Sequence, residues 1–327
     1  FTMIDGYGRT IDYIRISVTD RCNLRCVYCM PEQGIPPVSH QEILRFDEIC
    51  RLAGIFGELG IRKIKLTGGE PLVRKNLPVL VKLLKETPGI EKVTLTTNGV
   101  LLAEQMRALA DAGIDGINLS LDTLDPDIFA AITRRRELER VKEGFLAALH
   151  YPGIPLKINC VPMGPEEQKI EELAELARKY PVHVRFIEMM PVGLGKEFRG
   201  VSEAEILEQL RRRFGREETF RGRLGNGPAH YYTFSGFQGK IGFISAMTHK
   251  FCGECNRVRL TSRGFLKTCL QYETGTDLRE LLRSPEIRQE DLRKAVEETI
   301  RNKPAEHRFG AETVEHREEK IMSQIGG

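Results

Sequence analysis

The chain of 327 residues contains no tryptophan. With 15 Phe and 8 Tyr available for a core, that shortage excludes nothing about folding. Other absences exclude more. No apolar run approaches the roughly 18 residues that a membrane-spanning helix requires, so no transmembrane segment is expected. The N-terminus lacks the basic start, apolar centre and small-residue cleavage site of a secretory signal, which points to a cytoplasmic protein. Because the chain begins at Phe1 rather than Met, a few leading residues are expected to have been lost or replaced. A surplus of either charge is missing too, since 49 Lys and Arg face 46 Asp and Glu and leave a net charge of +3. Bulk attraction to nucleic acid or to a membrane surface is therefore not expected, and any anion must be met by a local cluster. The arginine runs at 134–136 and 211–213 are not read as such clusters, because they lie in Glu-rich helical stretches and fit solvated helix faces. Neither an internal repeat nor a low-complexity block is found.

What the chain does have is 41% hydrophobic and 29% charged residues, the composition of a folded globular protein. Short β-rich runs at 13–18, 63–67, 93–97, 116–120, 156–161 and 182–187 alternate with helical patterns. The helical patterns fall at 46–59, 77–86, 101–110, 139–150 and 170–179, where apolar residues recur every three or four positions. Six strands separated by helices predict a parallel α/β sheet with right-handed crossovers, open or curled into part of a barrel. Function is then expected at the C-terminal ends of the strands. The pattern changes near residue 215, where a Gly-rich stretch at 221–228 leads into short runs at 231–234, 240–245 and 258–261. Two charged helices follow, near 277–283 and 290–301, and then a polar tail ending in Gly326-Gly327. Residues 1–215 are accordingly expected to form the larger domain and residues 216–327 a smaller α+β domain.

Eight cysteines in a cytoplasmic chain suit metal or redox chemistry better than a disulfide framework. Cys22, Cys26 and Cys29 follow the first predicted strand with three and then two residues between thiols. A loop this tight can aim three sulfurs at one cubane and leave the fourth iron free for a ligand, unlike an electron carrier with four cysteines. Zinc is the alternative, but a fourth local ligand is missing. A second triplet is formed by Cys252, Cys255 and, thirteen residues on, Cys269. Taken by itself it also fits a structural zinc with His249 as fourth ligand. Cys50 and Cys160 read as small buried hydrophobes. Predicted strands further carry Arg15, Lys65 and Lys157, cations that are costly on an inward face unless an anion satisfies them. If all three face inward they form a pocket for a polyanion such as a triphosphate, and Arg257 and Arg259 share one face of a later strand that could add to it.

The Cys22-to-Cys29 spacing, with Tyr28 before the last cysteine, resembles the signature of the radical S-adenosylmethionine (SAM) superfamily. Thr67-Gly68-Gly69-Glu70-Pro71 at the end of the second strand resembles the superfamily motif whose backbone holds the SAM amino group, and its two glycines would allow a close approach to a ligand. The resemblance widens over Asp12 through Cys22, Thr96-Thr97-Asn98-Gly99, Asn118 through Asp122, Arg185 through Glu188, Cys255 through Leu260 and the final Gly326-Gly327. These segments together resemble the GTP 3′,8-cyclase family of molybdenum cofactor biosynthesis. The resemblance implies an incomplete six-strand (βα) barrel closed by the C-terminal domain, with two [4Fe–4S] clusters on the two triplets. It implies that Tyr28, Gly69, Ser120 and Met190 contact SAM. GTP would be met by Arg15, Lys65, Thr96, Lys157, Arg257, Val258 and Arg259. A 5′-deoxyadenosyl radical would remove the ribose 3′ hydrogen, and the carbon radical would attack C8 of guanine, whose base would bind the second cluster. Arg15, Gly326 and Gly327 would serve catalysis together, with the tail reaching into the site. Implied partners are GTP, a low-potential electron donor and a pyranopterin monophosphate synthase that takes the product; whether the chain forms a homodimer is left open. Two positions depart from the family: Lys65 stands where some members have Arg, and Arg134 where Gly is common.

Overall fold

The computed structural model describes residues 1–36, 38–311 and 313–327. Six strands run parallel and neighbour one another in chain order. They are β1 (Tyr13–Ser17), β2 (Lys63–Thr67), β3 (Lys92–Thr97), β4 (Ile117–Ser120), β5 (Leu156–Cys160) and β6 (His183–Ile187). The intervening helices are α1 (Phe46–Glu58), α2 (Leu77–Lys85), α3 (Leu102–Asp111), α4 (Pro126–Thr133), α5 (Leu138–Leu149), α6 (Pro165–Gln168) and α7 (Ile170–Lys179). This is the α/β alternation expected from the sequence, and the strand boundaries agree to within a residue. The short α4 was not expected. It is set by Asp125, whose carboxylate accepts from the N–H groups of Asp127 and Ile128 at 3.0 and 3.1 Å, followed by Pro at the first helical position.

After α8 (Glu203–Phe214) come β7 (Glu218–Phe220), β8 (His230–Thr233), β9 (Ile241–Ile244), β10 (Arg257–Leu260), β11 (Phe265–Lys267) and β12 (Gly275–Asp277). The chain ends with α9 (Leu278–Arg283), α10 (Gln289–Arg301) and α11 (Met322–Ile325). These later strands do not make a separate sheet. β9 pairs parallel with β6 and β10 pairs parallel with β1, so antiparallel β7–β8–β9 and β10–β11–β12 extend both edges of the first six strands. The outcome is one sheet of 12 strands that hydrogen bonds do not close, an incomplete barrel with the C-terminal strands on its two flanks.

The two faces of this sheet differ sharply. Ile14, Ile64 and Val93 lie in register, as do Ile16, Leu66, Leu95 and Ile117, and all are buried against the helices. Burial stabilises each such side chain by roughly 1.5–3 kcal/mol. The alternate positions are polar: Arg15 aligns with Arg259 and Lys65, and Thr96, Asn118, Lys157 and His183 form a second row. A parallel sheet covered on both faces reads as continuous hydrophobic runs. Here the strict alternation means that the inner face lines a polar cavity.

One reading from sequence needs correction. Arg134 is no solvated helix residue, since it caps α4 with a left-handed backbone (φ 55°), the conformation that explains why Gly is common there. Its Nη1 donates to the carbonyls of Arg25 and Met30 at 3.0 and 3.1 Å and so grips the first cysteine loop. Arg135 and Arg136 are exposed, as are residues 211–213, where Arg212 pairs with Glu208 at 2.6 Å one helical turn away.

Candidate functional site

Cys22, Cys26 and Cys29 leave the C-terminal end of β1, where strands of a parallel sheet direct their loops toward ligands. The loop is pinned by backbone pairing with the turn after β2: the N–H of Gly69 donates to the Thr19 carbonyl at 2.7 Å and that of Glu70 to the Arg21 carbonyl at 2.8 Å. A Cβ on Gly68 would stand 2.6 Å from the Thr19 carbonyl oxygen, and one on Gly69 2.4 Å from that of Arg21. The close approach that these glycines permit in this structure is to the cysteine loop itself. Glu70 is buried and binds in three directions, accepting from the Leu72 N–H (3.0 Å), the Thr97 hydroxyl (2.7 Å) and the Asn98 N–H (2.7 Å). Burial still lifts its carboxyl to about 7, those hydrogen bonds notwithstanding. Asn98 in turn donates to the sulfur of Cys22 at 3.8 Å.

Burial raises all three thiols, Cys22 to about 11, Cys29 to about 12 and Cys26 well above its ordinary value, and neighbouring sulfurs add to the shifts at Cys26 and Cys29. Three thiols so arranged cannot ionise together without a cationic body between them, which is the donor set that an iron–sulfur cluster neutralises. Among the described residues no three His, Cys, Asp or Glu side chains are grouped to hold a single ion. Sulfurs bound to separate irons of one cubane need no such single-ion grouping. Tyr28, within this loop, donates its hydroxyl to Asp122 at 2.8 Å, and burial holds the Asp122 carboxyl up at about 6.

The cations named from sequence meet on the inner face. Lys65 is buried, and besides its burial every charge that depresses its ammonium is positive: Arg185, Arg15, Lys157 and Arg257. Burial with Arg15 and Arg257 lowers Arg259 to about 9, and burial with Arg185 and Lys92 lowers Lys157 to about 8. Arg15 Nε, Arg257 Nη2 and Thr96 Oγ1 are buried without a hydrogen-bond partner. Burying such a cluster is costly unless an anion meets it. Lys157 donates to the Leu224 carbonyl at 2.6 Å, which draws the Gly-rich stretch across the cavity. Arg185 belongs to the same cluster and was missed, although its place two residues from His183 along β6, opposite Asn159, puts it on the inner face. Val258 does not join them: its side chain is fully buried on the apolar face, in register with Ile14. Ser120 is half-buried at the end of β4, and Met190 packs against the small apolar group of Val192, Leu270 and Ile325.

At the second triplet burial, and after it Cys255 and Cys269, raise the Cys252 thiol. Burial pushes the Cys255 thiol up, but the Lys303 ammonium and Arg257 guanidinium more than offset it and its net shift is downward. His249, the residue offered as a zinc ligand, is exposed. Cys160 is buried as expected, and Cys50 is half-buried.

The C-terminal tail enters the same cavity. Arg15 Nη2 donates to the carbonyl of Gly327, and Arg259 Nη1 donates to that of Gly326 at 2.7 Å. Gly326 has φ 91°, and a Cβ there would stand 2.7 Å from that of Ser17, so only glycine fits.

Comparison with known proteins matches this architecture. Residues 16–184 match the radical SAM superfamily and residues 182–309 match the Molybdenum Cofactor Synthesis C family. Among solved structures, SuiB of Streptococcus suis superposes with a TM-score of 0.59 at 16% identity, covering 84% of this chain and 65% of SuiB. Its complex with S-adenosylmethionine gives the same score at 15% identity. At such identities the likeness concerns the fold alone. Fold and cysteine loop together define a radical SAM enzyme, a class that works with an iron–sulfur cluster and SAM. GTP 3′,8-cyclases of Syntrophomonas wolfei and Heliobacterium modesticaldum are 45% and 46% identical, each over 99% of this chain and 100% of the relative. That of Desulforamulus reducens is 44% identical over the same shares. The chain belongs to the GTP 3′,8-cyclase family.

Proposed function

We infer that the chain cyclises GTP to 3′,8-cyclo-7,8-dihydro-GTP, the first step of molybdenum cofactor biosynthesis. The observation that carries this is the inner-face cation cluster of Arg15, Lys65, Lys157, Arg185, Arg257 and Arg259, whose positive charges depress one another and whose Arg15 Nε and Arg257 Nη2 are buried without partners, set between two cysteine triplets. A triphosphate supplies the negative charge that this cluster lacks. When bound, the first cluster and SAM would supply a 5′-deoxyadenosyl radical to take the ribose H3′; C3′ would then bond to guanine C8, and the nitrogen-centred radical left on the base would take one electron from the low-potential donor and one proton to give the 7,8-dihydro product.

The chain's own residues hold and shield the reactants. Cys22, Cys26 and Cys29 hold the first cluster, with Tyr28, Gly69, Ser120 and Met190 proposed around SAM. Arg15, Lys65, Thr96, Lys157, Arg257 and Arg259 are proposed to grip GTP; Val258 contributes only backbone. Cys252, Cys255 and Cys269 are proposed to hold a second [4Fe–4S] cluster that receives the guanine. Arg15 with Gly326 and Gly327 is proposed to order the ribose end of the cavity. We retain a division at residue 215 because the strands beyond it turn antiparallel. A low-potential electron donor and a pyranopterin monophosphate synthase are the proposed partners, with a homodimer as the proposed assembly. All eight cysteines are free, which fits a reducing cytoplasm, and among the described residues no helix is long and apolar enough to cross a membrane.

Anaerobic incubation with SAM, GTP and dithionite tests the reading. Mass spectrometry should find 5′-deoxyadenosine and a cyclised nucleotide in equal amounts. Release of 5′-deoxyadenosine with GTP unchanged would overturn the substrate assignment.

A further inference from the structure

Nothing in the spacing of the second triplet explains how two separate segments, residues 252–255 and Cys269, are kept in place. The answer lies in two buried cations from distant parts of the chain. Residues 4–10 form a small hairpin closed by an Ile4–Thr10 bridge. Inside it Asp5 accepts from the N–H groups of Tyr7 (2.9 Å) and Arg9 (3.0 Å) through Oδ1, and from Arg9 Nε at 2.6 Å through Oδ2. The pair is almost wholly excluded from water, with side-chain exposures of 6% for Arg9 and 0% for Asp5. The rest of the guanidinium reaches outward from the hairpin: Nη1 donates to the carbonyls of Cys252 (2.9 Å) and Ala305 (2.7 Å), and Nη2 donates to that of Pro304 (2.7 Å).

Lys303 stands beside those carbonyls and is 3% exposed. Its ammonium donates to the carbonyl of Thr268, the residue before Cys269, and hydrogen-bonds the side chain of Cys255. The Gly6 N–H adds a tie to the Arg301 carbonyl at 2.9 Å, joining the hairpin to the end of α10. Between them, Arg9 and Lys303 touch both cysteine segments, at Cys252, at Cys255 and at Thr268. Burying two cations is costly, and a planar fork that saturates one carboxylate and three carbonyls is a geometry that lysine cannot reproduce at position 9.

We propose that Asp5, Arg9 and Lys303 are positioning residues for the second cysteine triplet, bracing Cys252, Cys255 and the Cys269 segment at the spacing a cluster requires. The inference rests on reading that triplet as a cluster site. Its test uses the full chain carrying Cys22→Ala, Cys26→Ala and Cys29→Ala, so that only the second site can load. After anaerobic reconstitution this parent should hold about four irons, counted together with its reduced electron paramagnetic resonance signal. A parent that takes up zinc or no iron overturns the cluster reading itself, and the brace with it, without reference to Arg9.

With the parent loaded, Arg9→Met and Lys303→Met should release iron to ferrozine at least about tenfold faster and shift the resonance signal, as supports of metal ligands do. Arg9→Lys should fall between. Asp5→Asn keeps the Oδ1 acceptor for both backbone N–H groups while withdrawing the charge from Arg9. It should also loosen the iron, and it carries the test if Arg9→Met does not fold by circular dichroism. Wild-type release rates and an unshifted signal in the folded variants would overturn the proposal.

Discussion

The first cysteine triplet occupies eight consecutive residues, 22–29, whereas the second joins residues 252–255 to Cys269 across β10 and β11. The first loop is held by nearby backbone, through the Gly68-Gly69-Glu70 turn of the adjacent strand, with Arg134 as an added grip. The second depends on side chains from both ends of the chain: Arg9 at the start and Lys303 near the other end. A contiguous loop needs little outside help because its closure entropy is small. A site assembled from separated segments must be ordered by long-range contacts. This difference predicts which perturbations damage one site and spare the other.

The largest effects should come from the ligands. Cys26→Ala should abolish SAM cleavage altogether, whereas Cys269→Ala should retain SAM cleavage without GTP and lose cyclisation; chromatography of 5′-deoxyadenosine with and without GTP separates the two. If the Cys269 variant still cyclises GTP, the functional contrast between the triplets collapses.

Removing Gly326 and Gly327 comes next. Both triplets and the fold should survive, since the loss is limited to the contacts with Arg15 and Arg259 and to the Gly326 N–H bond that ends α11. Hydrogen transfer from GTP should stop, so GTP deuterated at 3′ should leave no deuterium in 5′-deoxyadenosine. Normal transfer at a normal rate would make the tail an exposed end and nothing more.

A smaller and graded effect belongs to the cation cluster. Lys157→Ala or Arg259→Ala removes a charge-assisted contact of roughly 1.5–3 kcal/mol, so GTP affinity should fall by about tenfold to a hundredfold. Calorimetry of GTP binding should show this while SAM affinity stays constant. The pH dependence has a definite sign. Lys157 titrates at about 8 in the free protein because burial and then Arg185 and Lys92 depress it, and a bound phosphate raises it again. Binding therefore takes up a proton above about pH 8, and GTP affinity should decline as pH rises through that value. Lys157→Met should flatten the decline.

The smallest effect tests the added grip on the first loop. Arg134→Ala loses two hydrogen bonds and keeps a left-handed backbone, whereas Arg134→Gly loses the same bonds but relieves about 1 kcal/mol of backbone strain. Urea titration should find the glycine variant more stable than the alanine variant by about that amount. Equal stabilities would mean that the left-handed turn at Arg134 costs nothing.

The sequence determined the elements that depend on local order. The six parallel strands were legible as short β-rich runs alternating with helical patterns, and the first triplet because three cysteines lie within eight residues. Arg15, Lys65 and Lys157 were legible as cations out of place in strands. That they share one face with Arg185, Arg257 and Arg259 followed only from the register of neighbouring strands, which no single strand encodes. The same holds for the extension of the sheet at both edges by β9 and β10, the second of which pairs with β1 across more than half the chain. Asp5, Arg9 and Lys303 carry no pattern at all as isolated charged residues, and Arg134 reads only as one member of an arginine run. Only the folded chain, by burying them beside cysteine loops and unpaired carbonyls, gives those charges partners and therefore a role.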